Sequence, residues 1–375
     1  MRGLPRHRSS GLAVITPLPP AETGIATYSA RLLEAMTHVC DVRAYADGGA
    51  GASPPDPRPG LDLRPMGALS SRERRRLYVF GNSPFHTGAL RSLTRLGGDV
   101  LLHEVALWGL YVGLEREGVL GPGGAQERAG ALEGRTLEET IPLPCSMVAE
   151  VVARARRILV HTDQAHRDLV ARHPDRADDI RVVSFGLPEP SPMPPPMGDP
   201  IVASFGHQRA AEVVVEAFPA IAAAVPSARL WLVGAEFASG QMDALRERLA
   251  GAGLADRVSA TGWLAAQRYR ERIAATAVAI QPRLRSYGER SAALGDLLGA
   301  GVPTVTHASA HADGIPAQAL SRVPVGAGAA ELGAAVVRLL RDPPRRVAMR
   351  EAALAYAGAN GFDRAARELL EALGD

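Results

Sequence analysis

The feature that most constrains the fold is an alternation of short apolar runs with longer helical stretches, which occurs in two successive series. The first series predicts strands at residues 11–17, 40–46, 77–81, 99–105, 157–162 and 180–186, with helices at 24–37, 86–97 and 146–156. The second predicts strands at residues 201–206, 229–235, 257–263, 277–282, 302–307 and 324–328. Continuous apolar strands that alternate with helices are typical of parallel sheets covered on both faces.

A proline-rich segment, EPSPMPPPMGDP, separates the two series and favours neither helix nor strand. The sequence therefore predicts an α/β chain with two facing Rossmann-like domains and a cleft between them. We place these domains at residues 1–190 and 201–360, with a final helix at 361–375 that packs back toward the first domain. Ligands of open α/β sheets bind beyond the carboxyl ends of the strands, so the cleft is the expected site. Two glycine-rich segments, 48–60 and 118–130, are expected to be mobile loops, and the second is a candidate lid.

Composition argues against several classes of function. The 375 residues carry a formal net charge of +2, which is too balanced for a nucleic-acid partner. The sequence contains no lysine, so phosphate contacts that lysine often makes must fall to arginine. Cys40 and Cys145 form neither a disulfide framework nor a metal site and fit a reducing cytoplasm.

Membrane contact is expected to be peripheral at most. No apolar run reaches the roughly 18 residues of a transmembrane helix, which favours a soluble cytoplasmic protein. The arginine-rich run at 70–77 is by default a solvated face, and contact with an acidic surface stays open.

Two predicted helix starts can bind anions. Gly24 opens a helix after a strand and a proline-rich turn, where free backbone N–H groups attract a phosphate. The simpler interpretation, an ordinary N-cap by Thr23, is favoured when this segment is taken alone. The second start has Ser291 as its predicted N-cap, and the helix is expected to stop at Gly301. Only small residues follow Ser291, which keeps that helix end open to a ligand.

Charged residues surround the second of these helices. Glu289 precedes its positive end, and Asp296 lies about one turn further along, where a carboxylate can accept both hydrogens of a diol. The alternative is that both carboxylates are solvated, although aspartate is a poor helix former. Arg209 follows another strand end and can clamp a phosphate, but a solvated arginine is the more common case. His86 and His103 lie at or after strand ends and are as often structural as catalytic.

In their order along the chain, these segments resemble the family 4 retaining glycosyltransferases, which have the two-domain GT-B fold. The resemblance covers nearly the full length and is carried by TGIATYSARLLEAM, GNSPFH, LLHEVALWGL, RILVHTDQAHRDL, FGHQR, LWLVG, RVSATGWL, IQPRLRSYGERSAALGDLLGAGVPTV and FDRAARELLEAL. LLHE and the stretch from Gly288 to Asp296 are its most specific parts.

The resemblance implies a metal-independent hexose transfer from a UDP-, GDP- or dTDP-sugar donor to an acceptor hydroxyl, with no cofactor and an unknown acceptor. It implies that His103 and Glu289 are catalytic and that Asn82, His86 and Glu104 lie on the acceptor side. The residues implied in donor binding are Gly24, Arg209, Gly262, Trp263, Leu264, Arg283, Gly288, Ser291, Ala292, Ala293 and Asp296.

Several positions depart from the family pattern. Asp296 stands where the family usually has glutamate, and Arg209 stands where it usually has lysine. His207 replaces an arginine, Pro282 a leucine, and Glu104 an aspartate. The shorter Asp296 raises the hypothesis of a deoxyribose nucleotide such as a dTDP-sugar.

The implied mechanism is electrostatic. Charge on the departing diphosphate would be stabilised by Arg209, Arg283 and the two helix starts. Its β-phosphate would accept the proton of the acceptor hydroxyl. His103 would position the sugar and stabilise positive charge rather than act as a general base. Two alternatives remain: an epimerase or hydrolase on the same scaffold, for which Glu289 and Glu104 are the candidate carboxylates, and a catalytically silent partner protein.

Overall fold

The computed structural model describes residues 11–47, 54–193, 196–236 and 240–374. Contacts divide the chain into two compact units. The first unit holds the residues up to Gly186 together with Tyr287–Arg290 and the residues from Phe362 onward. The second unit holds Leu187–Ser286 and Ser291–Gly361. Residues 287–290 therefore belong to the first unit, although the sequence analysis placed them in the second domain.

The first unit is built on a seven-stranded parallel sheet whose strand order is β3-β2-β1-β4-β5-β6-β7. The strands are β1 (Leu12–Thr16), β2 (Val42–Ala46), β3 (Asp62–Pro65), β4 (Arg75–Phe80), β5 (Gly98–Leu102), β6 (Ala155–Val160) and β7 (Ile180–Val182). Six of these strands confirm predicted ones. Strand β3, of sequence DLRP, was missed because this largely exposed edge strand has no apolar run.

Helices cover both faces of this sheet. They are α1 (Gly24–Thr37), α2 (Thr87–Leu96), α3 (Trp108–Arg116), α4 (Gly124–Glu133), α5 (Leu137–Thr140), α6 (Ala149–Arg154), α7 (Asp163–Arg172) and, from the end of the chain, α14 (Phe362–Ala372). Helix α14 packs on α1 and buries Leu369 and Leu370 in the same apolar cluster as Leu32 and Leu33.

Two predictions in the first unit need correction. The segment 118–130 is not a continuous loop, because α4 begins at Gly124 and Ala125 and Ala129 are buried in the core. The helix predicted at 146–156 ends at Arg154, because β6 begins at Ala155. The loop predicted at 48–60 lies in part, at 48–53, outside the described residues.

The second unit has a six-stranded parallel sheet of order β10-β9-β8-β11-β12-β13. Its strands are β8 (Ile201–Phe205), β9 (Arg229–Val233), β10 (Val258–Ala260), β11 (Val278–Gln281), β12 (Thr304–His307) and β13 (Ser321–Val323). Its helices are α8 (Ala211–Ala224), α9 (Gln241–Ala250), α10 (Ala266–Ala274), α11 (Ala292–Ala300), α12 (Ala329–Leu340) and α13 (Pro343–Ala359). The strand predicted at 324–328 is wrong: β13 ends at Val323, and the chain then turns through Gly326, whose φ is 87°.

Both sheets run outward in two directions from a first strand, which confirms the predicted α/β class with two Rossmann-like sheets. In such sheets the strand order reverses between two neighbouring strands, and a crevice opens beyond their carboxyl ends. These pairs are β1 and β4 in the first unit and β8 and β11 in the second. No helix among the described residues is long and apolar enough to span a membrane.

Candidate functional site

The crevice of the first unit lies between the loop that follows β1 and the loop that follows β4. Thr23 caps α1, because its hydroxyl accepts a hydrogen bond from the Ile25 N–H at 3.4 Å, as predicted. A Cβ on Gly81 would lie 2.2 Å from Cδ1 of Ile25, which shows that the loop after β4 packs against the start of α1. Gly24 therefore stands at the helix start beside this crevice and is half-buried.

The loop after β4 is tied to the end of β5. The Asn82 N–H donates to Oε1 of Glu104 at 3.0 Å, and Oδ1 of Asn82 accepts from the Gly109 N–H. These bonds bring Asn82 and Glu104 together at the carboxyl edge of the sheet, where the sequence analysis expected the acceptor side.

The ring of His86 is buried beside the end of β4. Its side chain has 0% exposure, and Nδ1 donates to the Val79 carbonyl oxygen at 3.0 Å. Burial lowers the pKa of His86 to about 4, so the ring is neutral near pH 7. The buried ring is bonded to the backbone of β4, and the place of His86 on the acceptor side stays a prediction.

His103 and His161 form a buried aromatic cluster with Tyr28. The rings of His103 and His161 are 4.9 Å apart, and each lies edge-on to the Tyr28 ring. His103 is 6% exposed, and neither Nε2 atom has a hydrogen-bond partner among the described residues. Unsatisfied buried nitrogens at the carboxyl ends of two neighbouring parallel strands mark a place where a ligand could supply the missing partner.

Burial fixes the charge of this cluster. Desolvation, reinforced by repulsion from His161 and His86, lowers the pKa of His103 well below its usual value. Desolvation also lowers the pKa of His161 to about 4 and raises the pKa of Tyr28. The three rings are therefore neutral near pH 7 and can exchange hydrogen bonds with a ligand without adding charge.

Tyr287–Arg290 packs on the same edge of the first unit. The Val105 N–H donates to the Tyr287 carbonyl oxygen at 2.8 Å, and the Tyr287 hydroxyl donates to the Ile141 carbonyl oxygen at 2.8 Å. Nε of Arg290 donates to the His161 carbonyl oxygen at 3.3 Å. The segment is thus anchored beside the strand ends that carry His103 and His161.

Gly288 and Glu289 lie within this anchored segment. The Thr162 hydroxyl donates to the Gly288 carbonyl oxygen at 2.8 Å, and Gly288 has a φ of 76°. Oε2 of Glu289 accepts from the Tyr287 N–H at 2.6 Å, so the carboxylate is turned back onto its own loop and half-buried. The structure therefore brings Glu289 into the same unit as His103.

In the second unit, three glycines end three neighbouring strands. Gly206 follows β8, Gly234 follows β9, and Gly262 follows β10. A Cβ on Gly234 would lie 2.0 Å from the Gly206 carbonyl oxygen, and the Gly234 N–H donates to the Gly262 carbonyl oxygen at 3.1 Å. A Cβ on Gly206 would lie 3.4 Å from Cβ of Ala293, which places the start of α11 against this strand edge.

Helix α11 has the ends that the sequence predicted. The Ser291 hydroxyl accepts from the Leu294 N–H at 3.2 Å, and Gly301 ends the helix with a φ of 70°. Ala292 and Ala293 leave the first turn uncrowded, and Asp296 is half-buried in the second. This N-terminus lies at the carboxyl edge of the sheet, where its dipole can stabilise an anion.

The other predicted donor residues surround the same strand ends. Arg209 is exposed after β8, and Arg283 follows β11 by two residues and is half-buried. Trp263 is 37% exposed, with its ring 6.1 Å from that of His207, and Leu264 beside it is half-buried. An exposed tryptophan beside glycine loops offers a flat apolar surface to a ring-shaped group.

Sequence reasoning missed His161, Thr162 and Tyr287 as parts of this arrangement. His161 and Thr162 fall at the end of the predicted strand 157–162, whereas β6 ends at Val160, and a polar pair directly after a buried parallel strand is a usable signal. Nothing in the sequence near Tyr287 indicates its contact with Ile141, because 146 residues separate the two. Among the described residues, no group of three histidine, cysteine, aspartate or glutamate side chains is placed to hold a metal ion.

Comparison with known proteins adds to this geometry. Residues 201–342 match the family model "Glycosyl transferases group 1". This range contains the six-stranded sheet with its glycine loops and helix α11, and it covers less than half of the chain. No curated protein sequence matches the chain significantly.

Solved structures share the fold at low sequence identity. WaaG, a glycosyltransferase involved in lipopolysaccharide biosynthesis, is 15% identical, with a TM-score of 0.65 over 96% of this chain and 98% of its own. Sucrose-phosphate synthase from Thermosynechococcus elongatus is 14% identical, with a TM-score of 0.67 over 98% of each chain. Anabaena HepE, solved with UDP and glucose, is 12% identical, with a TM-score of 0.65 over 98% of this chain and 100% of its own. The chain therefore shares the fold of these proteins over nearly its full length, and residues 201–342 match the group 1 glycosyltransferase model.

Proposed function

We propose that the protein is a retaining glycosyltransferase that moves a hexose from a nucleoside-diphosphate sugar to an acceptor hydroxyl without a metal ion. The observation that carries this proposal is the family match over residues 201–342, in which the predicted donor residues other than Gly288 lie at one edge of one sheet. Parallel strands that end at a common edge bring distant loops together, so a single ligand can contact all of them.

The proposed donor contacts divide by chemistry. Gly262, Trp263 and Leu264 bind the nucleobase, and Asp296 accepts hydrogen bonds from the sugar of the nucleoside. The diphosphate is bound by Arg209, Arg283 and the N–H groups of Ala292 and Ala293. The helix start at Gly24, in the first unit, is proposed to bind it as well. Arginine suits this role because its planar guanidinium donates two parallel hydrogen bonds to a phosphate. The open first turn of α11 supports this assignment.

The transferred sugar is proposed to contact His103, Gly288 and Glu289 of the first unit, with Asn82 and Glu104 on the acceptor side. A neutral His103 can orient a sugar hydroxyl without repelling the positive charge that develops on the anomeric carbon. The carboxylate of Glu289 stabilises that charge electrostatically.

In the proposed reaction the acceptor oxygen forms a bond to the anomeric carbon as the bond from that carbon to the β-phosphate oxygen breaks. The acceptor proton passes to the departing β-phosphate, and both events occur on the same face of the sugar, which retains its configuration. Charge accumulates on the leaving diphosphate, where arginine and helix N–H groups stabilise it. No proton transfer to a protein side chain is needed.

The test is calorimetric titration of the full chain with UDP, GDP, dTDP and their glucose and N-acetylglucosamine conjugates, in chelator. Micromolar affinity for one nucleotide, with a sugar-dependent part that Glu289→Gln removes, is the expected result. Arg72→Gln, an exposed change in the arginine-rich run, serves as the control. Absence of binding by the wild type for every nucleotide contradicts the proposal and favours a silent protein of the same fold.

A further inference from the structure

The end of strand β11 is held by side chains of strand β12 within the second unit. Gln281, the last residue of β11, pairs with Thr306 in the sheet, and the Thr306 hydroxyl donates to the Gln281 carbonyl oxygen at 2.6 Å. Two residues further on, the Arg283 N–H donates to Nδ1 of His307 at 2.9 Å. The backbone on both sides of Pro282 is therefore fixed by two consecutive residues of β12.

The bonding pattern fixes the tautomer of His307. A backbone N–H can only donate, so Nδ1 of His307 must accept and carries no hydrogen. Nε2 then carries the hydrogen and donates to the Ala327 carbonyl oxygen at 2.9 Å. His307 has 0% exposure, and both of its ring nitrogens have partners. Through these two hydrogen bonds the ring connects the loop after β13 to the backbone of Arg283.

A second buried histidine supports the same strand end. The Thr306 hydroxyl has already donated its only hydrogen, so it accepts from Nε2 of His311 at 2.6 Å. Nδ1 of His311 in turn accepts from the Ser309 hydroxyl at 2.8 Å. This satisfied buried network limits the positions that the Gln281–Arg283 backbone can take.

From this geometry we infer that His307 is a positioning residue for Arg283: it sets the backbone from which the Arg283 side chain binds the β-phosphate of the donor. The inference rests on the proposed function, since it needs Arg283 to contact a diphosphate. A bidentate arginine contact depends on geometry, so a shifted backbone weakens it even when the side chain is unchanged. His307 itself contacts no ligand.

Two substitutions separate the bonds that His307 makes. Asparagine places an amide oxygen near the position of Nδ1 and can still accept from the Arg283 N–H. Glutamine reaches the position of Nε2 and can still donate to the Ala327 carbonyl oxygen, but it leaves the Arg283 N–H without an acceptor. Each variant removes one buried hydrogen bond, so both should lose similar stability.

The experiment measures the affinities of UDP, GDP and dTDP relative to those of their monophosphates, with the full chain. The ratio isolates the β-phosphate contact from the rest of the nucleotide. We expect His307→Gln to lower the ratio by roughly tenfold, as for one charge-assisted hydrogen bond. We expect His307→Asn to keep the ratio within about twofold of the wild type, while thermal denaturation shows comparable losses for both variants.

A double variant tests whether the effect passes through Arg283. Arg283→Ala removes the guanidinium but keeps the backbone N–H that His307 accepts, so adding His307→Gln should leave the ratio unchanged. The inference is overturned if both His307 variants change the ratio equally, if neither changes it, or if the effect persists in Arg283→Ala. Failure of every nucleotide to bind the wild type instead overturns the proposed function.

Discussion

Thr162 holds Gly288 in place: its hydroxyl donates to the Gly288 carbonyl oxygen at 2.8 Å across a separation of 126 residues in the sequence. The same oxygen accepts from the Ala165 N–H at 3.1 Å and so caps helix α7. One hydroxyl thereby fixes a helix start of the first unit and the loop that carries Glu289. The residue that caps helix α7 therefore also positions the loop that is proposed to bind the sugar.

Thr162→Val should therefore impair both stability and function. Valine keeps the branched shape but loses the cap and the bond to Gly288, at a cost of about 1–2 kcal/mol in the free energy of unfolding. Thr162→Ser keeps both bonds and serves as the control. Denaturant unfolding measures the stability, and sugar-dependent nucleotide affinity measures the placement of the loop. Equal affinities in the two variants would show that the bond does not position Glu289.

Gly288→Ala should cost more than an alanine at another glycine of positive φ. The new Cβ would lie 2.6 Å from Cβ of Ala165, in addition to the conformational strain at φ 76°. Gly60→Ala is the matched control, since Gly60 has a φ of 81° and nothing within 4 Å of its Cβ position. We expect about 1 kcal/mol of destabilisation for Gly60→Ala and about 2–4 kcal/mol for Gly288→Ala. Equal losses in denaturant unfolding contradict the proposed clash.

The sequence predicted most of the strands because buried parallel strands are continuous apolar runs, which are visible without knowledge of partners. It predicted both ends of α11 because an N-cap serine and a glycine past the helix end act through local backbone geometry. Strand β3 was missed for the opposite reason: pairing along the sheet edge, not apolar content, makes DLRP a strand.

The parts of the candidate site that could not be predicted from the sequence depend on contacts between residues that are far apart in the chain. The position of Tyr287–Arg290 depends on contacts with Val105, Ile141 and Thr162, none of which is near in sequence. The burial of His86 is equally invisible, because an imidazole after a strand looks the same whether it faces solvent or the core. Helix caps and other local features can be predicted from the sequence. Whether a side chain faces the core or the solvent depends on the fold.

Stability should fall as the solution is acidified from about pH 6.5 toward pH 4. His86 and His161 have pKa values lowered to about 4 by burial, and the pKa of His103 is lowered well below its usual value. Between pH 4 and 6.5 the unfolded chain binds protons at these rings while the folded chain does not, so protons favour unfolding. The free energy of unfolding has its full value above about pH 6.5 and decreases as the pH falls. The decrease is at most about 3 kcal/mol for each ring with a pKa near 4.

Urea unfolding between pH 4.5 and 7.5 measures this loss. His161→Asn removes one titrating ring but can keep a donor to the Val183 carbonyl oxygen, which His161 contacts through Nδ1 at 3.3 Å. The free energy of unfolding of the variant should fall less steeply with decreasing pH, because unfolding of the variant takes up about one proton fewer at pH 5. A slope identical to that of the wild type would mean that His161 is already protonated in the folded protein.

Asp296 should decide between ribose and deoxyribose nucleotides. Its carboxylate is one methylene shorter than the glutamate that the family pattern has at this position, and it is held half-buried in the second turn of α11. If the shorter side chain cannot reach both hydroxyls of a ribose, the wild type binds dTDP at least as tightly as UDP. Asp296→Glu should then raise the affinity for UDP relative to dTDP by roughly three- to tenfold, as for one added hydrogen bond. Asp296→Asn keeps the length and isolates the effect of charge. A wild type that strongly prefers UDP, with no further gain in Asp296→Glu, contradicts the deoxyribose hypothesis and leaves Asp296 as a sufficient ribose contact.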